Sequence, residues 1–232
     1  MRRRGSRLRT AAPLSSLYTG LTAQYKLNEA LGSTVIVDER GYSNGTRLSG
    51  TLGVAGKFGT AYRTNGTEYI DTNTKTLIGG RSAFTFACWV KNNDANSADL
   101  FGSFGGIRST NIRQDTNNRW IFDLYDAAGV YKNIVFSSPD LININWREQG
   151  VYKLLIITYD GATVRCWVNN TEAQSGFALT GAVRVGSDNE KIGQHRSGQY
   201  SYRDIDEMIF WDRALTTDER ENLYNNGSGI IL

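Results

Sequence analysis

From Leu17 to about residue 211 the chain is a succession of short apolar stretches separated by clusters of Gly, Asn, Asp and Ser. LTAQYKL places Leu21, Ala23, Tyr25 and Leu27 on one side of an extended backbone, and AFTFACWVK does the same with Phe84, Phe86, Cys88 and Val90. Alternation with a period of two is the mark of half-buried β-strands. YKLLIITYD is almost continuously apolar, as expected of a strand in the middle of a sheet. TVRCWVNN alternates Val164, Cys166 and Val168 against Arg165, Trp167 and Asn169, and the Asp160-Gly161 pair before it predicts a hairpin turn. RWIFDLYD and NIVFSS read as shorter strands. One helix interrupts the pattern near the C-terminus. Thr216 followed by Glu219 makes a capping box, Asp218 and Glu219 suit the positive end of a helix dipole, and Gly227 suits a left-handed C-cap. The helix spans about ten residues and is expected to pack through Leu215, Leu223 and Tyr224. The fold class is therefore all-β, a two-sheet antiparallel sandwich with one short C-terminal helix.

A length of 232 residues is compatible with one such domain and with a sizeable core. The net charge of +3 conceals an asymmetry. Arg2, Arg3, Arg4, Arg7 and Arg9 are crowded at the start, and no acid precedes Glu29. Without those five arginines the chain has 21 basic against 23 acidic residues, which argues against a nucleic-acid-binding body. Residues 1–16 lack periodicity and read as a flexible basic arm, with residues 17–232 as the sandwich. The start has the charge of a secretory signal but no apolar run behind it, and no stretch approaches the roughly 20 apolar residues of a membrane span. Synthesis in a cytoplasm without a signal peptide is the expectation. Cys88 and Cys166 lie in alternating apolar runs and are expected to be buried free thiols.

Five segments carry a family resemblance when taken in order: GKFGTAYRTNGTEYID, SAFTFACWVK, YKLLIITYDGATVRCWVNN, EKIGQ and DIDEMIFWDRALTTDERENLYNNGSG. Together, over about residues 20–230, they resemble a laminin-G-like domain of the concanavalin A-like jelly-roll superfamily, which includes the pentraxins. The resemblance implies two packed antiparallel sheets closed by a C-terminal helix.

That superfamily also contains glucanases, whose catalytic strand carries alternating acids. The segment YRDIDEMIFWD, with Asp204, Asp206 and Glu207, invites the comparison. On a regular strand Asp204 and Asp206 share a face with Met208, while Glu207 points the other way with Ile205 and Ile209. An Asp stands where the glucanase pattern begins with Glu, and the acid/base position is absent. The three acids are expected to be structural, bonded to loop amides and basic side chains, and the protein is expected not to be an enzyme.

Other candidates are scattered. His195, the single histidine, sits in the polar loop GQHRSGQY, where Gln194, His195, Gln199, Tyr200 and Tyr202 form a candidate glycan-binding cluster. Trp120, Tyr125 and Tyr131 make a second aromatic group. No cofactor and no metal are expected, because Arg196 stands where pentraxin-like relatives place a calcium ligand. Asn65 and Glu68 remain as a calcium candidate through their oxygens. The arginines of the arm are candidate docking residues for an acidic surface on a larger assembly. The architecture resembles phage capsid decoration, head-fibre and tail proteins, so the leading expectation is a virion surface module anchored by its arm. A cell-surface glycan or a second copy of the chain are further candidate partners. A free-standing lectin and a degenerate glycosidase are the alternatives.

Overall fold

A computed structural model of the chain describes residues 12–64, 68–94, 98–103, 105–115, 117, 119–137, 148–173, 176–193 and 202–232. The strands in chain order are β1 (Leu21–Tyr25), β2 (Val35–Ile36), β3 (Gly45–Arg47), β4 (Thr51–Ala55), β5 (Thr60–Thr64), β6 (Ile70–Asp71), β7 (Phe84–Asn92), β8 (Ala98–Gly102) and β9 (Thr110–Gln114). They continue as β10 (Trp120–Tyr125), β11 (Tyr131–Phe136), β12 (Tyr152–Tyr159), β13 (Thr163–Val168), β14 (Thr171–Glu172), β15 (Phe177–Ala178), β16 (Lys191–Ile192) and β17 (Arg203–Trp211). Helix α1 (Thr217–Tyr224) follows.

Two antiparallel sheets form the sandwich. The first runs β14-β13-β12-β7-β17-β5-β4, with β1 also on β17 and β15 on β13. The second runs β11-β10-β9-β8-β16-β6-β3-β2. Alternation delivers the core as the sequence implies. Phe84, Phe86, Cys88 and Val90 of β7, Leu155, Ile157 and Tyr159 of β12, and Val164, Cys166 and Val168 of β13 face Phe101, Ile112, Phe122 and Phe136 of the other sheet. Both cysteines are buried free thiols. The Asp160-Gly161 turn joins β12 to β13, with Gly161 at φ +94° and the Asp160 carboxylate accepting the amides of Ala162 and Thr163.

The outer face of the first sheet is apolar as well, because a second layer covers it. Trp89, Leu154, Ile156, Trp167, Ile209 and Trp211 pack beneath Leu17, Leu215 and Leu223. The capping box at Thr216 and Glu219 forms, and Tyr224 stacks on Trp89 at 6.3 Å. The C-cap differs from expectation: Asn225 takes the left-handed conformation and ends α1 after eight residues, two residues ahead of Gly227.

The N-terminal boundary also differs. Leu14–Tyr18 form a 3-10 turn rather than free arm. The Trp211 indole donates to the Leu17 carbonyl at 2.7 Å, Arg213 donates to the Ser16 carbonyl, and Asn222 donates to the Ala12 carbonyl. Arg213 also makes a bidentate pair with Glu219, so one guanidinium ties the turn to α1. Leu17 is the apolar anchor, and the body therefore begins before the expected residue 17. Arg2, Arg3, Arg4, Arg7 and Arg9 lie outside the described residues.

Candidate functional site

The acids of β17 decide whether that strand can do chemistry. β17 borders β7 along its length, but on its other side Arg203–Ile205 pair with β5 and Met208–Trp211 pair with β1. At that changeover the strand bulges. Asp206 is opposite Trp89 and Ile209 is opposite Ala87, which leaves one extra residue, and Glu207 takes φ +49°. The bulge corrects the facing expected from strict alternation. Met208 and Phe210 join Ile205 in the core, whereas Ile209 and Trp211 continue the outer face of Asp204 and Asp206. Glu207 turns outward too, where its carboxylate accepts from the Gln24 amide at 3.0 Å.

All three acids therefore reach one side, yet none is open to a substrate: Asp204 and Asp206 are fully buried and Glu207 is 2% exposed. Asp204 takes a bidentate pair from Arg63 at 2.6 and 2.9 Å, Lys91 at 2.7 Å and the Asn93 amide at 2.9 Å. Burial alone would raise its pKa, but the bonds and charges of Arg63 and Lys91 outweigh it and lower the value. Asp206 accepts the Phe58 amide at 2.8 Å, and burial lifts its pKa to about 6. Burial lifts Glu207 to about 7, with the Asp206 charge adding to the rise. The Gln24 amide that holds Glu207 also donates to the Leu232 carbonyl, and Lys57 donates to the Gly227 carbonyl, so the C-terminal residues close over this region. Asp204 and Glu207 thus tie β17 to side chains of β5, β7 and β1, and Asp206 ties it to the loop amide of Phe58. A further structural acid was not singled out from sequence: Glu190, fully buried, accepts the amides of Leu77, Ile78 and Gly79.

Of the first glycan candidate cluster only Tyr202 is described; it is 44% exposed, donates its amide to the Asp94 carboxylate at 2.9 Å and lies beneath Arg63. Gln194, His195, Gln199 and Tyr200 lie outside the described residues, as does Asn65 of the calcium candidate. Its partner Glu68 is half-buried, and among the described residues no three His, Cys, Asp or Glu side chains converge as metal ligands would.

The second aromatic group divides. Trp120 is fully buried in the core. Tyr125 and Tyr131 face outward as a cross-strand pair on β10 and β11, with ring centroids 5.3 Å apart. They border a narrow cleft of about 10 Å³, room for about one water, on the outer face of the second sheet. Ser103, Arg108, Ser109, Thr110, Asn111 and Asp123 complete its lining. Asp123 accepts from Arg113 at 2.8 Å and from the Tyr131 hydroxyl at 2.6 Å, and the Asn133 amide completes its shell. Burial first, then the bond to Asp123, raises the Tyr131 pKa, so its hydroxyl stays a donor. Asn111 donates to Asp99 at 2.9 Å, but its carbonyl oxygen and the Ser109 hydroxyl are buried without a hydrogen bond. The sequence held a signal for this cleft. Asn111, Arg113, Asp123 and Asn133 are polar at the outward positions of strands whose inward positions are Ile112, Phe122 and Ile134.

Comparison with known proteins agrees with this architecture. No curated protein matches the chain. Among solved structures, the binding domain of Paraclostridial Mosquitocidal Protein 1 superposes with a TM-score of 0.71 at 16% identity, over 93% of this chain and 53% of that one. The Botulinum neurotoxin serotype D binding domain gives 0.69 at 13% identity, over 92% and 52%. A Trypanosoma rangeli sialidase in complex with sialic acid gives 0.62 at 14% identity, over 91% and 34%. The chain thus spans about half or less of these structures, and the likeness is one of fold. A family model described as the concanavalin A-like lectin/glucanases superfamily matches residues 64–219, from the last residue of β5 into α1. That span holds β6 to β17, the acid-bearing strand included, and the chain belongs to this superfamily.

Proposed function

We propose that the chain is a non-catalytic recognition module that binds a glycan and is displayed on a larger assembly. The observation that carries the recognition half is a contrast between the buried acids of β17 and an outward aromatic pair. The acids of β17 are buried and bonded to neighbouring side chains and loop amides. Tyr125 and Tyr131 instead pair on the outer face of the second sheet, where Tyr131 is 46% exposed and Asn133 lies exposed beside it. An outward aromatic pair beside exposed polar side chains suits a sugar ring, whose C–H face stacks while its hydroxyls bond. Binding domains among the similar structures support the same reading. A glycan array probed with the full chain and with Tyr125→Ala tests it. Binding that the substitution abolishes without a change in melting is the expected result. A blank array, or reducing-sugar release from any bound glycan, overturns it.

The display half rests on the arm. Five arginines within nine residues, ahead of a body with a slight acidic excess, suit a segment that orders against an acidic groove of a virion capsid or tail. A free-standing lectin is the second reading, and co-sedimentation with capsid shells separates the two.

A further inference from the structure

We propose that a groove on the outer side of the first sheet, beside the C-terminal end of α1, binds a neutral oligosaccharide through Tyr224 and two pairs of asparagine carboxamides. The site is separate from the Tyr125–Tyr131 pair, which lies on the other sheet, and goes beyond the reading above.

The groove is open and large enough for sugar rings. One hollow of about 500 Å³ is lined by Asn170, Glu221, Tyr224, Asn225 and Asn226 among others. A second, of about 480 Å³, is lined by Lys57, Tyr152, Asn169 and Tyr224 among others. The two share Tyr224 and meet again at the consecutive residues Asn169–Asn170 and Asn226–Gly227, so they form one groove with Tyr224 at its middle. Two adjoining hollows suit a chain of rings better than a single one. Tyr224 is held in place by stacking on Trp89, with centroids 6.3 Å apart and planes at 22°, so the open part of its ring is ready for a sugar C–H face.

Much of the polar lining is carboxamide. Asn169 and Asn170 lie between β13 and β14, Asn225 and Asn226 follow α1, and all four have left-handed backbone with φ between +45° and +64°. That conformation explains why asparagine is accepted at each place. It does not explain why two such pairs, remote in the chain, line the same groove. The Asn169 carbonyl accepts the Leu154 amide at 2.9 Å, which leaves its NH₂ to donate. The Asn225 NH₂ donates to the Gly229 carbonyl at 3.1 Å, which leaves its carbonyl to accept. Asn170 and Asn226 make no side-chain hydrogen bond among the described residues, and neither is sealed: Asn170 is half-buried and Asn226 is exposed. A carboxamide offers a donor and an acceptor side by side, the complement of two adjacent hydroxyls.

The charges of the groove favour a neutral ligand. The ionised side chains of its lining are Lys57 in one hollow and Glu221 in the other. The Lys57 ammonium already donates to the Gly227 carbonyl at 2.6 Å and lies 4.6 Å over the Trp89 ring. Glu221 would repel an acidic sugar from its half of the groove. A neutral oligosaccharide presents what remains: C–H faces for the tyrosine and adjacent hydroxyls for the carboxamides.

The test follows amide-resonance perturbations of the full chain at neutral pH with maltotetraose, cellotetraose, methyl glucoside and tetraglycine, the last offering peptide groups without side chains. A tetrasaccharide is expected to shift residues 169–170 and 224–227, with a Kd of about 1 mM and tighter binding than methyl glucoside. Binding of that strength does not hold a chain on a washed array, so the array reads the Tyr125–Tyr131 pair and the titration reads the groove. Asn170→Gly combined with Asn226→Gly keeps the left-handed backbone and is expected to melt with the parent chain. It should weaken binding at least about tenfold, the increment of two lost hydrogen bonds. Tyr125→Ala should leave groove binding unchanged. Silence of those residues with both tetrasaccharides, full binding by the double variant, or tetraglycine binding as tightly as the sugars would each overturn the proposal. If the array is positive while the groove is silent, this inference falls and the recognition module stands. If the groove binds while the array is blank, the Tyr125–Tyr131 reading falls and the groove stands.

Discussion

Replacing Glu207 by glutamine is expected to stabilise the protein at pH 8 and to change little at pH 5. Glu207 is 2% exposed, has Gln24 as its hydrogen-bond donor and keeps one buried oxygen without a partner. Burial first, and then the neighbouring Asp206 charge, lift its pKa from 4.5 to about 7, with the nearby Lys26 pulling down and Glu39 pushing up. Between pH 4.5 and 7 the folded protein holds a proton that the unfolded chain lacks. Unfolding releases that proton, so stability is complete at the acid end of the window and falls as pH rises through 7. Each unit is worth about 1.4 kcal/mol, which makes the loss on the order of 3 kcal/mol by pH 8. For a domain of this size that corresponds to roughly 6–12 °C in melting temperature. Glutamine keeps the acceptor for Gln24 and carries no charge to desolvate. Thermal melts of parent and Glu207→Gln at pH 5 and pH 8 read the effect directly. The variant should lose much of the alkaline fall, with Asp206 and Glu190, also raised by burial, supplying the remainder. Asp204 and Glu219, whose values are lowered, act only in more acidic solution and do not confuse the window. A variant that melts below the parent at pH 8 would show that the ionised carboxylate is a stabilising group and would refute the reasoning.

Other expectations are simpler to state. Asp204→Asn leaves Arg63 and Lys91 facing each other without their shared anion and should cost about 3–5 kcal/mol in urea unfolding; a loss under 1 kcal/mol would mean the pairs are incidental. Gly56→Ala should destabilise by roughly 1–3 kcal/mol, because its methyl group would lie 2.7 Å from Asp206 Oδ2 and 2.6 Å from the Thr60 carbonyl, and an unchanged melt would show that the Lys57 loop yields freely. A chelator should leave the melting temperature where it was; a calcium-dependent rise would reveal a site that includes residues beyond those described. Deleting residues 2–9 should leave folding intact and weaken attachment to a virion assembly, and full occupancy by the truncated chain would move docking to the sandwich.

Much of the fold could be read from periodicity, and the misses have identifiable causes. The inward residues of β7, β12 and β13 follow strict alternation because the ladders joining β7 to β12 and β12 to β13 run without a register shift. β1 and β17 break it, and both breaks fall where a neighbouring strand ends or shifts register, a tertiary fact with no local signature. Leu21 accordingly faces the outer layer while Ala23 and Tyr25 face the core. Leu17 looked like the first residue of a body, but the backbone bonds that Trp211 and Arg213 make to residues 16 and 17 are long-range and invisible to composition. In the cleft, Tyr125 and Tyr131 were recognisable as aromatics and Trp120 was wrongly grouped with them. Position parity would have separated the three, since Trp120 shares its parity with Phe122 and Leu124.

The extra residue at Glu207 makes β17 a strand whose length matters more than its chemistry. Removing one residue between Asp206 and Met208 would not merely shorten it. Every side chain after the cut would exchange inside for outside, so that Met208 and Phe210 would be thrust toward α1 while Trp211 entered the space between the sheets. Conservative replacement of Met208 by leucine would be a small event by comparison. Among natural variants of this chain, the segment from Asp204 to Trp211 should therefore drift in sequence yet hold its count, and an insertion or deletion there should come only with a matching change in β1 or β5.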